Sequence, residues 1–392
     1  MADGRSHLRQ PLDSLDTRAC AGVCRGLGAQ IALGEEWIVE GFGGKPDCPD
    51  DVLDAANSGT TLRVGLGMAA LGKGWSVFTG DEQIRSRPSG PLLEALNALG
   101  AQAFSTRGNG RPPIVVKGPL RGGRAEVPCP TSQYLSSLLL ACPLGEGVSE
   151  IVVTELNEQP YVEMTLAWLD SQGIRYEREG LERFVIPGGQ SYKAFSRNIP
   201  GDYSSATFLF CAAAVTASEI KVEGLDPADT QGDKAVLDIL AAMGADVRWE
   251  QDGVVIRGRE LRGGEFDLNA TPDALPALAA TACFASGTTR LLNVPQARIK
   301  ETDRIAVMRQ ELAKMGGRLE ELPDGLVVTG SPLKGAHVDG HGDHRVVMAL
   351  AVAGLGASGT TRVARAEAAA VTFPDFVAIL EALGARITQE DT

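Results

Sequence analysis

Positive charge is scarce in this chain. Its 37 lysines and arginines face 50 aspartates and glutamates, giving a formal net charge of −13. That balance argues against nucleic acid or an anionic membrane as the main partner. It also makes any local cluster of cations worth noticing. Long apolar runs are lacking too: none reaches the length of a membrane span, and no signal peptide opens the chain. Seven cysteines (Cys20, Cys24, Cys48, Cys129, Cys142, Cys211 and Cys283) are scattered and odd in number. They form no disulfide framework and point to a reducing, cytoplasmic setting. Cys20 and Cys24, one helical turn apart, read as core side chains rather than ligands. At 392 residues the chain has room for two or more domains, each with its own core.

What is present is a repeat. Six segments follow one pattern: an apolar helix, a glycine, an extended piece, a turn and a second extended piece. The marker glycines are Gly28, Gly100, Gly173, Gly244, Gly316 and Gly384, spaced by 72, 73, 71, 72 and 68 residues. So regular a period is not chance. Each glycine is placed to end its helix as a C′ cap. The hairpin that follows alternates, as in Asp246-Val247-Arg248-Trp249-Glu250, turns at Asp252-Gly253 and returns through Val254-Val255-Ile256.

A second feature keeps the same beat, ahead of a small-residue apolar helix. Its positions 57, 131, 202, 273 and 343 are separated by 74, 71, 71 and 70 residues. The segments are Asn57-Ser58-Gly59-Thr60-Thr61, Thr131-Ser132-Gln133, Asp202-Tyr203-Ser204-Ser205, Pro272-Asp273 and Asp343-His344-Arg345. Helix capping explains Ser, Thr, Asn and Asp at such places. It does not call for Gln133, His344 or Arg345. Counting back one beat from Asn57 lands before Met1. The first repeat is therefore expected to hold its second helix and hairpin (16–43) without its first strand or first helix, with residues 1–10 as the tail of a loop.

Between Asp267 and Arg304 the chemistry concentrates. Asp273 and Glu301 stand beside the cations Lys300 and Arg304, each at the start of a helix, where free N–H groups and a positive dipole end suit anions. From Ile305 the apolar residues Ile305, Met308, Leu312 and Met315 recur at helical spacing. Two carboxylates with two cations are what proton movement on a phosphorylated substrate needs. The plainer reading is that Asp303 and Glu301 only favour the helix dipole and Arg304 is a solvated partner. His337, His341 and His344, with Asp339 and Asp343, lie close in sequence, but a glycine-rich segment gives them no shared face, so no metal is expected.

These stretches, with Arg85-Ser86-Arg87-Pro88, Lys300-Glu301-Thr302-Asp303-Arg304 and Thr372-Phe373-Pro374, resemble the 3-phosphoshikimate 1-carboxyvinyltransferases, the enolpyruvyl transferases of the shikimate pathway. The resemblance runs from about Leu12 to Leu383. It implies an α/β (α+β) fold, a two-domain inverted α/β prism built from six βαβαββ-type repeats, here with the first truncated. The N-terminal domain would take residues 1–199 (repeats 1–3, the first incomplete). The C-terminal domain would take 200–392 (repeats 4–6, its last sheet lacking a strand partner). The implied reaction moves the enolpyruvyl group of phosphoenolpyruvate onto the 5-hydroxyl of shikimate 3-phosphate and releases phosphate, in aromatic amino acid biosynthesis. Glyphosate is the family's inhibitor. No metal or organic cofactor is implied, and the partners are the two small-molecule substrates of a cytoplasmic monomer.

By the resemblance, Asp273 takes the proton of the attacking hydroxyl and Glu301 protonates the methylene carbon of phosphoenolpyruvate. Asp273 also contacts the shikimate ring, with Lys300 nearby. Thr131, Ser132 and Gln133 hold shikimate 3-phosphate, and Gln133 reaches the second substrate. Arg87, Arg304 and Arg345, with the backbone at Gly59, clamp phosphoenolpyruvate. His344 contacts phosphate or orients Glu301. Such anionic substrates need fixed cations between them, and arginine's fork suits carboxylate and phosphate. The family's opening Lys-Ser pair and following Arg have no assignable counterpart here, and Val371 stands where many members carry a lysine. Two rival readings follow: a truncated remnant that binds ligand without turnover, and transfer to a UDP-amino sugar. The latter branch typically uses a cysteine in the loop that here runs Asp81 to Pro88.

Overall fold

Each of the six marker glycines has a positive φ, from 69° at Gly173 to 110° at Gly244, in the computed structural model, which describes residues 1–390. At Gly244 the turn is closed by its own N–H on Ala241 and by Ala245 N–H on Leu240, both at 2.9 Å. That pair of bonds satisfies the last carbonyls of the helix and needs a left-handed residue at the glycine. The chain divides into two units, Met1–Ile199 and Pro200–Thr392.

In the first unit the first repeat runs β1 (Asp3–Arg9), α1 (Leu15–Gly26), β2 (Gln30–Ala32) and β3 (Glu36–Phe42). The second runs β4 (Leu53–Asp54), α2 (Gly59–Ala69), β5 (Ser76–Thr79), α3 (Glu82–Ser86), α4 (Gly90–Ala98), β6 (Gln102–Ser105) and β7 (Ile114–Lys117). The third runs β8 (Gly123–Cys129), α5 (Gln133–Ala141), β9 (Ser149–Leu156), α6 (Gln159–Ser171), β10 (Glu177–Glu179) and β11 (Arg183–Ile186), and β12 (Ser196–Asn198) ends the unit. The second and third sheets share one order, β4-β5-β7-β6 and β8-β9-β11-β10, with a parallel first pair and an antiparallel hairpin.

The first sheet has the same order, β12-β1-β3-β2. This corrects the expectation for residues 1–10. They are not a loop tail: β1 lies inside the sheet, antiparallel to β3 from Asp3 to Arg9 and parallel to β12 at His7–Arg9. The sequence Asp-Gly-Arg-Ser-His-Leu-Arg shows little apolar alternation, so its strand character comes from two neighbours distant in sequence. No helix bridges β12 to β1 among the described residues, because the chain leaves β12 for the second unit.

The second unit runs α7 (Tyr203–Thr216), β13 (Glu219–Glu223), α8 (Ala235–Ala242), β14 (Asp246–Glu250) and β15 (Gly253–Arg257). Then come β16 (Glu265–Asp267), α9 (Leu275–Ala282), β17 (Thr288–Leu292), α10 (Arg304–Lys314), β18 (Arg318–Leu322) and β19 (Gly325–Thr329). The last repeat is β20 (His337–Asp339), α11 (His344–Gly356), β21 (Arg362–Ala364) and α12 (Phe376–Ala382), and residues 385–390 form no strand. The sheets are β13-β15-β14, β16-β17-β19-β18 and β20-β21.

Helices α7, α9 and α11 pack on one another in the second unit's core. Nearly every residue of α7 is buried, as an apolar helix without a polar face must be. In the first unit α2 packs on α5. Gly67 lies in this contact, and an added Cβ there would be 2.5 Å from Ser137 Oγ. That hydroxyl donates to the Arg63 carbonyl at 2.7 Å. No helix among the described residues is long and apolar enough to cross a membrane. The reading of Cys20 as a core residue is corrected, since Cys20 is exposed; Cys24, half-buried on α1, packs against the first unit's core.

Candidate active site

Of the helix starts that keep the beat, Ser58, Asp202 and Asp343 cap α2, α7 and α11 with their side chains. Asp273 does not: it sits in the short 3-10 turn Pro272–Ala274 before α9, with no side-chain cap bond. Its carboxylate is spent on cations instead. Arg304 Nη1 donates to Asp273 Oδ1 at 2.8 Å, and Arg345 Nη2 lies 3.1 Å from Oδ2. Lys300 Nζ is 3.8 Å from Oδ1.

Arg304 is the centre of this cluster. Asp303 caps α10 by accepting from Ala306 N–H at 3.1 Å, which fixes Arg304 as the first helical residue. The side chain is 1% exposed, so the plainer reading of a solvated arginine fails. Besides Asp273, its guanidinium donates to Glu301 Oε2 and to both oxygens of Asp343, at 2.8 Å from Nε and 3.2 Å from Nη2. Thr302 Oγ1 donates to Asp343 Oδ2 at 3.0 Å. Asp343 thus caps α11 through Arg345 N–H at 2.9 Å while gripping α10.

Three carboxylates and three cations share this space, and they shift one another. Burial opposes the charge of Asp273, but Arg345, Lys300 and Arg304 outweigh it and hold the carboxyl well below its usual range. Burial also opposes the charge of Arg304, while Asp343, Glu301 and Asp273 fix it in place. His344 behaves oppositely: burial pushes its pKa down to about 4, against the pull of Glu301. It is neutral at pH 7, and its Nδ1 has no hydrogen-bond partner among the described residues.

The histidines diverge. His341 Nε2 is 3.0 Å from Glu311 Oε1, His337 lies exposed on β20, and His344 faces the carboxylate cluster. Asp273, Lys300, Glu301, Arg304, His344 and Arg345 are therefore together in the second unit.

In the first unit a separate group forms at the starts of α2 and α5. Gly59 opens α2, and a Cβ there would lie 2.7 Å from Nη1 of both Arg63 and Arg87. Both arginines are buried, at 1% and 5% exposure. Arg63 donates to Gln133 Oε1 at 2.6 Å and to the Pro88 carbonyl at 3.1 Å, and it stacks 5.5 Å from the Tyr134 ring centroid. Burial, then the Arg87 charge, lowers its pKa to about 10, so it stays cationic at neutral pH. Gln133 also donates to Thr60 Oγ1 at 3.0 Å. Two buried guanidiniums over a bare glycine make a place for an anion.

Thr131 and Ser132 stand at the start of α5, and Ser132 makes no side-chain cap bond. Both turn to Glu158, which has 2% exposure and lies just before α6. Its Oε2 accepts from Thr131 Oγ1 at 3.2 Å, Ser132 N–H at 3.1 Å and Ser132 Oγ at 2.8 Å.

The sequence model of EPSP synthase (3-phosphoshikimate 1-carboxyvinyltransferase) matches residues 1–380. A protein of Acetivibrio thermocellus named 3-phosphoshikimate 1-carboxyvinyltransferase is 57% identical over 389 residues, covering 99% of this chain and 92% of its own. The chain belongs to the EPSP synthase family. A namesake from Ruminiclostridium cellulolyticum is 53% identical over 388 residues, with 99% of this chain and 92% of the relative covered. The solved EPSP synthase from Acinetobacter baumannii superposes with a TM-score of 0.81 at 29% identity, over 98% of this chain and 91% of that one. Relatives matched over 92% of their own length carry the enzyme's name, so the reading of a remnant without turnover is not favoured. The two-domain α/β fold is that of these EPSP synthases.

Four residues of the two clusters escaped the list of expected site residues: Arg63, Tyr134, Glu158 and Asp343. Asp343 opens the stretch Asp343-His344-Arg345 already picked out, and Arg63 lies two residues beyond Asn57-Ser58-Gly59-Thr60-Thr61. Their roles were hidden because a core-facing arginine and a helix cap look ordinary in sequence. Glu158 had no signal at all.

Proposed function

We propose that this chain moves the enolpyruvyl group of phosphoenolpyruvate onto the 5-hydroxyl of shikimate 3-phosphate and releases phosphate. The observation that carries this reading is the joining of Asp273 and Glu301 through one buried guanidinium, that of Arg304. Asp273 removes the hydroxyl proton as the oxygen attacks C2 of phosphoenolpyruvate, and Glu301 delivers a proton to C3. Loss of a C3 proton and of phosphate then restores the double bond. Gly59, Arg87, Arg304 and Arg345 are assigned to phosphoenolpyruvate. Thr131, Ser132 and Gln133 are assigned to shikimate 3-phosphate, and Lys300 to the shikimate side of Asp273.

A carboxylate held far below its range by three cations is a poor base. Anionic substrates drawn to Arg345 and Lys300 take up part of that positive field and return basicity to Asp273. Binding thus switches on the base. Neutral His344 adds no further positive charge beside Glu301. We place the protein in the cytoplasm as a monomer.

The test is phosphate release, which should require both substrates together. Asp273→Ala and Glu301→Ala should each lower turnover by about 10²-fold or more. Shikimate 3-phosphate binding should suffer more in Asp273→Ala. Phosphate release from phosphoenolpyruvate alone, undiminished in both variants, would contradict the reading.

A further inference from the structure

We infer that Glu158 is a built-in competitor for the phosphate of shikimate 3-phosphate, and that this substrate must displace its carboxylate from Thr131 and Ser132. The inference rests on the assignment of Thr131 and Ser132 to that substrate. Three donors at the start of α5 converge on one oxygen: Thr131 Oγ1, Ser132 N–H and Ser132 Oγ, at 3.2, 3.1 and 2.8 Å from Glu158 Oε2. Two hydroxyls and a helix-start N–H form the donor set that a phosphate oxygen takes. Here a carboxylate already occupies it.

Glu158 does not reach this place by capping. It precedes α6 without a side-chain capping bond, and its own backbone is left-handed, φ 62°. A non-glycine residue in that region is held by its surroundings. Its negative charge is felt by Arg63, the buried cation that also holds Gln133. A second anion brought to the same hydroxyls would meet the charge of Glu158 at close range. Either the carboxylate swings out or the phosphate stays out. Glu158 therefore lowers affinity for the phosphorylated substrate without touching affinity for a ring that carries no phosphate.

The experiment is equilibrium titration of the full chain with shikimate 3-phosphate and, as the control probe, with shikimate. Glu158→Ser removes the competing carboxylate and leaves the donors free. It should tighten shikimate 3-phosphate about tenfold, the order expected when a charged hydrogen-bonded competitor is removed. Shikimate should bind both proteins alike. Glu158→Gln, which keeps the shape and loses the charge, should fall between. Ser132→Ala should weaken shikimate 3-phosphate in either background. If Ser132→Ala weakens binding while Glu158→Ser leaves it unchanged or weaker, Glu158 supports the donors and the inference is overturned alone. If Ser132→Ala changes nothing in either background, the assignment of the α5 start to this substrate fails, and the inference with it.

Discussion

Asp343 and Arg304 are fully buried partners, joined by Arg304 Nε–H on Asp343 Oδ2 at 2.8 Å and by a second bond at 3.2 Å. Because Asp343 also caps α11, one side chain locks the starts of two helices and fixes the arginine that links Asp273 to Glu301.

Replacing Asp343 with Ala should therefore cost stability twice over, through a lost cap and a broken buried ion pair. The expected loss is about 3–5 kcal/mol in urea unfolding of the full chain. Asp343→Asn, which keeps an acceptor for the cap, should lose less. Equal, small losses in both variants would show that Arg304 is held by its other partners.

Gly59 allows no side chain. An alanine Cβ would press on Arg63 and Arg87 within 2.7 Å of each. Those contacts are side-chain ends, so Gly59→Ala should fold with a thermal midpoint close to the parent. It should raise KM for phosphoenolpyruvate by roughly tenfold or more, since guanidiniums moved by about 1 Å lose aligned bonds. An unchanged KM would remove Gly59 and Arg87 from that substrate.

His344 gives a pH signature. Its pKa in the folded chain, about 4, lies below the ordinary value of 6.5. The folded state thus prefers neutral imidazole. The associated stability is present above pH 6.5 and is lost as the pH falls from there toward 4, by about 1.4 kcal/mol per unit at most. His344→Gln should flatten the fall in urea-unfolding free energy over that window. Parallel curves for parent and variant would place the titration elsewhere.

The repeat was legible because its signals are local: a glycine at C′ and a polar helix start act within one turn, wherever the neighbours are. Asp273, Glu301 and Arg304 were legible for the same reason, since their charges stand at helix starts. The strand Asp3–Arg9 was not, as its pattern is weak and its partners β3 and β12 come from distant sequence. Nor was the fate of Thr131 and Ser132, which depends on a glutamate 26 residues on from Ser132. Asp343 was read as a cap, which it is; the grip on Arg304 needs the packing of α10 against α11.

The central claim is that Glu301 delivers a proton to C3 of phosphoenolpyruvate while Asp273 serves the hydroxyl. Deuterium incorporation at that carbon during turnover in deuterated water, followed by NMR, tests it most directly. The full chain with both substrates should place deuterium in the methylene group of the product. Glu301→Gln should abolish incorporation, while shikimate 3-phosphate still binds. Incorporation by Glu301→Gln at the parent's rate would contradict the account, because another group would then be the acid.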